Sequence, residues 1–131
     1  RLSFLSAHLE AHEGEKKYAA RNTSLMDILM GTKSSVQVTS ETNSSSKVRF
    51  DSSLSNHMMF VMGDLNYRTK LSEFKPGSLE HIQEAHALVA AKDWPFLNHC
   101  DELRKALRTK ECLVGFETPY CCWNPTFKVS R

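Results

Sequence analysis

Two short apolar runs, far apart in the chain, give the clearest structural prediction. Residues 2–8 are strand-like, and residues 58–62 are five consecutive apolar residues that include Phe60 and Val61. A short apolar run with β-branched and aromatic residues is typical of a strand, and an uninterrupted one is typical of a buried strand. We therefore predict a strand at 2–8 and a buried strand at 58–62, which Gly63 ends.

The segment between these strands carries apolar residues at helical spacing. The apolar side of residues 15–30 holds Tyr18, Leu25, Ile28 and Leu29. The opposite side is basic and holds Lys16, Lys17 and Arg21. This pattern predicts an amphipathic helix with an outward-facing Arg21, and Gly31 supplies its C-terminal stop.

Three further helices are predicted after the second strand. Ser78 follows Pro76 and Gly77 and is a typical N-cap for a helix that reaches about Ala91. Its packed side would hold Leu79, Ile82, Ala85 and Val89. Asp93 caps a short helix with Pro95 in its first turn, and Asp101 begins the last helix. Beyond residue 113 the prolines favour an irregular or edge-like tail. The order of the predicted elements indicates an α/β fold with a parallel crossover.

Composition limits the classes of protein to which this chain can belong. The 131 residues are 40% hydrophobic and 24% charged, as in one soluble globular domain, and the net charge of +2 does not supply a nucleic-acid surface. Residues 32–56 are rich in Ser and Thr and predict an insertion or mobile loop. The four cysteines form no Cys-x-x-Cys pair, which favours reduced thiols in a cytoplasmic protein.

The strongest chemical signal directly follows the second apolar run. In an extended chain, Asp64 and Asn66 would project together from the end of the strand, where open α/β folds place ligand sites. A carboxylate there can accept a proton from water, and a carboxamide can orient that water. The same two residue types also favour an ordinary turn, so both interpretations stand on these residues alone.

The longer string Gly63-Asp64-Leu65-Asn66-Tyr67-Arg68 resembles the signature of the inositol polyphosphate 5-phosphatases, which are magnesium-dependent enzymes of the endonuclease/exonuclease/phosphatase superfamily. Gly-Asp-x-Asn alone is shared with nucleases of that superfamily, and the added Tyr-Arg is typical of the phosphatases. Three more segments resemble the family in the same order: Ser6–His12 with Arg21-Asn22, then Gly115-Phe116-Glu117, then Pro125-Thr126-Phe127-Lys128.

The resemblance implies a four-layer α/β sandwich, incomplete in this chain, that hydrolyses the 5-phosphate of phosphoinositides or inositol polyphosphates. By position, His8 would contact the scissile phosphate, Asp64 would activate water, and Asn66 would hold that water or the phosphoryl oxygens. The residues implied to bind substrate are Lys128, Arg68 and Asn22.

The resemblance also implies a Mg²⁺ cofactor whose ligands we expect outside this chain, so that residues 1–131 form part of a catalytic domain. A peripheral membrane surface is a further partner that suits a lipid substrate, whereas no nucleic-acid partner is expected. Two alternatives stay open: a metal-dependent nuclease of the same superfold, and a non-catalytic interaction module.

Overall fold

The computed structural model describes residues 1–31, 56–71, 74–75 and 77–123. Its elements are β1 (Leu2–His8), α1 (Glu15–Gly31), β2 (Met58–Asp64), α2 (Leu79–Ala90), α3 (Trp94–His99) and α4 (Glu102–Thr109). The chain divides into two compact units, Arg1–Asn66 and Tyr67–Arg131. The predicted mixture of helices and strands is confirmed, while the predicted insertion at 32–56 lies, apart from Asn56, outside the described residues.

In the first unit, β1 and β2 pair in parallel, with Leu2 opposite Met58 and His8 opposite Asp64. Both predicted strands and the parallel crossover between them are therefore confirmed. The expected stop at Gly63 is wrong, because this residue continues the ladder with a φ of 119°, a conformation that glycine adopts readily. As a consequence, β2 extends to Asp64 and carries that side chain on its last residue.

One face of this pair of strands is open to solvent. Phe4 and Phe60 stack there with ring centroids 5.2 Å apart, and both side chains remain exposed. The prediction of a buried β2 is wrong for the described residues, since none of its seven residues is buried. The physical reason is that the described sheet has two strands only, and no described layer covers this face.

Helix α1 begins and ends where its sequence predicts. The carbonyl of Gly14 accepts from the amides of Lys17 and Tyr18 in the first turn of the helix, and Gly31 is the last helical residue. Leu25 and Leu29 are buried on the predicted apolar side. The prediction that Arg21 faces outward is wrong, because its side chain is completely buried. Arg21 lies three residues after Tyr18 and four before Leu25, which places it on the packed face.

The second unit contains the remaining helices, and each begins at a predicted cap. The side chains of Ser78, Asp93 and Asp101 accept from the backbone amides of His81, Phe96 and Arg104. Each cap satisfies an amide that the helix itself leaves without a partner. Capping residues read from the sequence therefore locate α2, α3 and α4 correctly.

Packing within this unit differs from the prediction at α2. No residue of α2 is buried in the described structure, and Leu79 is 66% exposed, so the predicted packed side is not present there. The core consists instead of Leu71, Leu97, Ala106, Cys112 and Leu113. The spacing of the apolar residues is correct, but spacing cannot state whether a partner covers them.

The tail after α4 is irregular through residue 123, as its prolines predict. Asn98 anchors it: the Asn98 Nδ2 donates to the carbonyl of Cys121 at 2.7 Å, and the Cys121 amide donates to the Asn98 Oδ1 at 3.1 Å. All four cysteines are free, and burial raises the pKa of Cys112. Among the described helices, none is both long and apolar enough to span a membrane.

Candidate active site

Two polar side chains meet at the C-terminal ends of the paired strands. His8 and Asp64 are register partners, and the His8 Nε2 lies 3.9 Å from the Asp64 Oδ2. The side chains are 75% and 66% exposed, respectively, so both polar groups are open to solvent. A separation of this size exceeds a direct hydrogen bond and leaves each group able to contact water or an incoming oxygen.

Asn66 does not project beside Asp64, so the prediction that they share one face is wrong. The backbone of Asn66 has a φ of 55°, and its amide donates to the Asp64 Oδ1 at 3.2 Å. This two-residue contact is an Asx turn, which Asp and Asn form easily. The turn buries the Asn66 side chain while Asp64 stays exposed.

The buried amide of Asn66 joins the two strand ends. The Asn66 Nδ2 donates to the Leu9 carbonyl at 3.0 Å, and the Leu9 amide donates to the Asp64 carbonyl at 3.0 Å. Leu9 is itself buried, so these bonds are shielded from water. Asn66 therefore fixes the backbone that carries His8 relative to the backbone that carries Asp64.

A groove of about 550 Å³ lies beside His8, between the end of β1 and α1. Its lining consists of His8, Leu9, Glu10, Ser24, Asp27 and Ile28. The Glu10 Oε1 accepts from the Ser24 Oγ at 2.9 Å. Hydrogen bonds from its own backbone N–H and from Ser24, together with the charges of Lys17 and Arg21, hold the pKa of Glu10 below its ordinary value. Glu10 and His8 therefore line the same groove, and one Glu10 carboxylate oxygen is engaged by Ser24.

The other residues predicted to bind substrate are Asn22, Arg68 and Lys128. Asn22 is buried in α1, 7% exposed. Arg68 belongs to the second unit, where its amide donates to the Glu102 Oε2 at 3.1 Å and its carbonyl accepts from the Glu102 amide at 3.0 Å. Lys128 lies outside the described residues. Substrate binding by Asn22, Arg68 and Lys128 therefore stays a prediction.

Within the described residues, no group of three or more His, Cys, Asp or Glu side chains could hold a metal ion. The carboxylate of Asp64 is a suitable oxygen donor for Mg²⁺, but a single donor is not a site. The described part of this chain therefore does not fit a complete magnesium centre.

Sequence reasoning did not identify Glu10, Ser24 or the inward position of Arg21. A helical wheel would have shown Arg21 beside Tyr18 and Leu25, and Ser24 one turn further along the same helix. No sequence signal would have shown that the Glu10 carboxylate bonds to Ser24, since this contact depends on the path of residues 9–14.

Comparison with known proteins assigns the chain to a family. Three similar proteins of Arabidopsis thaliana are described as inositol polyphosphate 5-phosphatases. The chain is 29% identical to "Type IV inositol polyphosphate 5-phosphatase 6" over 128 residues, which is 98% of this chain and 19% of that protein. It is 28% identical to "Type I inositol polyphosphate 5-phosphatase 4" and to "Type IV inositol polyphosphate 5-phosphatase 7", each over 129 residues and 98% of this chain.

These alignments cover 21% and 19% of the second and third relatives, so the chain spans about one fifth of the length of the proteins it matches. The family comparison covers every residue, since the model for "Endonuclease/Exonuclease/phosphatase family 2" matches residues 1–131. The resemblance read from the sequence motifs is confirmed by both findings, and this chain belongs to the endonuclease/exonuclease/phosphatase family 2.

Proposed function

We propose that this chain supplies part of the active site of a magnesium-dependent phosphatase that removes the 5-phosphate from phosphoinositides or inositol polyphosphates. The observation that carries the proposal is the pairing of His8 with Asp64 at the ends of two parallel strands, with 3.9 Å between the His8 Nε2 and the Asp64 Oδ2. The names of the similar proteins supply the substrate class.

The proposed chemistry divides between the two exposed side chains. Asp64 accepts the proton of the attacking water through the Oδ2, because the Oδ1 is engaged by the Asn66 amide. His8 contacts the phosphoryl oxygens through its imidazole Nε2, which faces the same space. Asn66 joins the two strand ends through Leu9, and its contact with the water or the phosphoryl oxygens stays a prediction. Phosphoryl transfer depends mainly on such positioning and on charge stabilisation.

The remaining parts of the proposal come from the family resemblance. Arg68, Asn22 and Lys128 bind the phosphates of the substrate, and the whole domain forms a four-layer α/β sandwich. Mg²⁺, when bound, would stabilise charge on the transferring phosphoryl group. Within the described residues no three-ligand cluster would hold this ion.

Substitution of Asp64 in the full-length protein tests the proposal. Asp64→Asn keeps the size of the side chain and its acceptor for the Asn66 amide but removes the base, so we expect kcat to fall about 100-fold or more. Asp93→Asn is the matched control, because Asn caps a helix as well as Asp does. The measurement is phosphate release from inositol 1,4,5-trisphosphate and from vesicles that contain phosphatidylinositol 4,5-bisphosphate.

Retention of more than about a tenth of wild-type kcat by the Asp64 variant would exclude the general-base role. Cleavage of abasic DNA instead of release of inorganic phosphate would favour the nuclease alternative. Absence of both activities in the wild-type protein would favour a non-catalytic interaction module.

A further inference from the structure

The loop that follows His8, residues 9–14, is held in place by α1. The Arg21 Nη1 donates to the Glu10 carbonyl at 3.3 Å and to the His12 carbonyl at 2.9 Å, and the Arg21 side chain is completely buried. One helical turn further, the Ser24 Oγ donates to the Glu10 Oε1 at 2.9 Å. Helix α1 thus forms hydrogen bonds with both the backbone and one side chain of this loop.

These hydrogen bonds act on a residue with an uncommon backbone conformation. His12, which has a side chain, has a φ of 76°. An ordinary side chain rarely adopts positive φ, and such a residue persists where its surroundings hold it. Arg21 bonds to the carbonyl of His12 itself, so this guanidinium directly stabilises the strained position.

His8 depends on the backbone of this region for its position. Its side chain is 75% exposed, so packing does little to orient the imidazole. The neighbouring Leu9 bonds to the Asp64 carbonyl through its amide and accepts from the Asn66 Nδ2 through its carbonyl. Glu10 is the next residue, so a shift of its carbonyl is transmitted through Leu9 to His8.

We propose that Arg21 is a positioning residue that acts through His8, because it fixes the loop so that the imidazole stays at the strand end beside Asp64. This inference rests on the proposed function, which gives His8 its contact with the phosphoryl group. Lysine is a poor substitute for Arg21, since the planar guanidinium fixes the directions of the two Nη1 N–H groups toward the Glu10 and His12 carbonyls, whereas an ammonium is a point charge on a flexible stem.

A double-mutant cycle in the full-length protein distinguishes positioning of His8 from a general effect on the fold. We expect Arg21→Lys to lower the kcat for inositol 1,4,5-trisphosphate about tenfold with under about a twofold change in KM. The same substitution should lower kcat by under about twofold when His8 is already replaced by Ala. Lys16→Arg, the reverse exchange at an exposed position of α1, is the matched control and should leave kcat unchanged.

Hydrogen exchange at the Leu9 amide provides a readout that does not need turnover. Arg21→Lys should speed exchange at Leu9 about tenfold or more, while exchange at Leu5 inside β1 stays the same. If this variant does not fold, Ser24→Ala loosens the same loop by removing a single hydrogen bond and takes its place in the cycle.

An equal loss of kcat in both His8 backgrounds, or unchanged exchange at Leu9, would overturn the inference. An inactive wild-type protein would refute the proposed function alone, and exchange at Leu9 would then decide whether Arg21 positions the backbone next to His8.

Discussion

Replacement of Gly63 by alanine would test the pairing of the strand ends most directly. A Cβ atom built on Gly63 would lie 2.1 Å from the carbonyl oxygen and 2.9 Å from the amide nitrogen of Ala7, both on the partner strand. These are backbone atoms, so the contact cannot be relieved by a side-chain rotation. The φ of 119° at this position is also unfavourable for alanine.

Two costs therefore add in Gly63→Ala. The backbone conformation costs about 1–3 kcal/mol for a residue with a Cβ, and overpacking costs a further 1–3 kcal/mol or so. We expect the free energy of unfolding of the first unit to fall by roughly 4 kcal/mol. With a slope of about 2 kcal/mol per molar urea, the midpoint of unfolding would drop by roughly 2 M.

Two other glycines of the same unit provide matched controls. Gly14 has a φ of 105° but no atom within 4 Å of its added Cβ, so Gly14→Ala should show only the backbone cost of about 1–3 kcal/mol. Gly31 is helical and equally uncrowded, so Gly31→Ala should be neutral or stabilise by up to about 1 kcal/mol. Urea unfolding of the full-length protein, with hydrogen exchange of residues 2–8 and 58–64, measures all three.

Equal destabilisation by Gly63→Ala and Gly14→Ala would refute this reasoning, because it would show that β1 and β2 do not approach each other closely at Gly63. A loss of kcat in Gly63→Ala is also expected, since the strands must separate beside Asp64.

Two further predictions concern single side chains. In the folded protein the pKa of Glu10 lies below its ordinary value of 4.5. Glu10 therefore stabilises the protein fully above pH 4.5, and this contribution is lost as the pH falls through the folded pKa. Glu10→Gln should remove this acid-dependent part of the unfolding free energy and leave the slope of the unfolding free energy against pH unchanged above about pH 6. Asn98→Ala should cost about 2–3 kcal/mol, because both backbone groups of Cys121 lose their partner. Asn98→Asp keeps the acceptor for the Cys121 amide but places a carboxylate oxygen against the carbonyls of Trp94 and Cys121, so it should cost at least as much as Asn98→Ala, and a cost near zero would contradict the anchoring role.

Local chemistry made much of the fold predictable. The caps at Ser78, Asp93 and Asp101 satisfy amides of the first helical turn, so these residue types locate helix starts independently of tertiary structure. The apolar runs likewise locate β1 and β2 to within two residues. His8 and Asp64 were predictable as strand-end residues, since parallel strands finish at the same edge.

Features that depend on a distant partner were not predictable. The helical spacing places Arg21 on the packed face of α1, but only the β1–α1 loop supplies the carbonyls of Glu10 and His12, which accept from its Nη1 and allow a guanidinium to be buried. Asn66 turns inward because the Leu9 carbonyl is available to its amide. Leu79 is exposed because no described residue covers it. In each case the sequence specifies the side chain, but its burial or exposure depends on the residues that surround it in the fold.

The parallel pairing of β1 with β2 also has a consequence for synthesis. Leu2 can pair only after its register partner Met58, which lies 56 positions later in the chain, has been synthesised. At a translation rate of about 5–20 residues per second, β1 is without this partner for roughly 3–11 seconds during synthesis. During that interval the backbone edge that later pairs with β2 has not formed these hydrogen bonds. Closure of so long a segment is also slow compared with formation of α1, so we expect α1 to form before β1 and β2 pair.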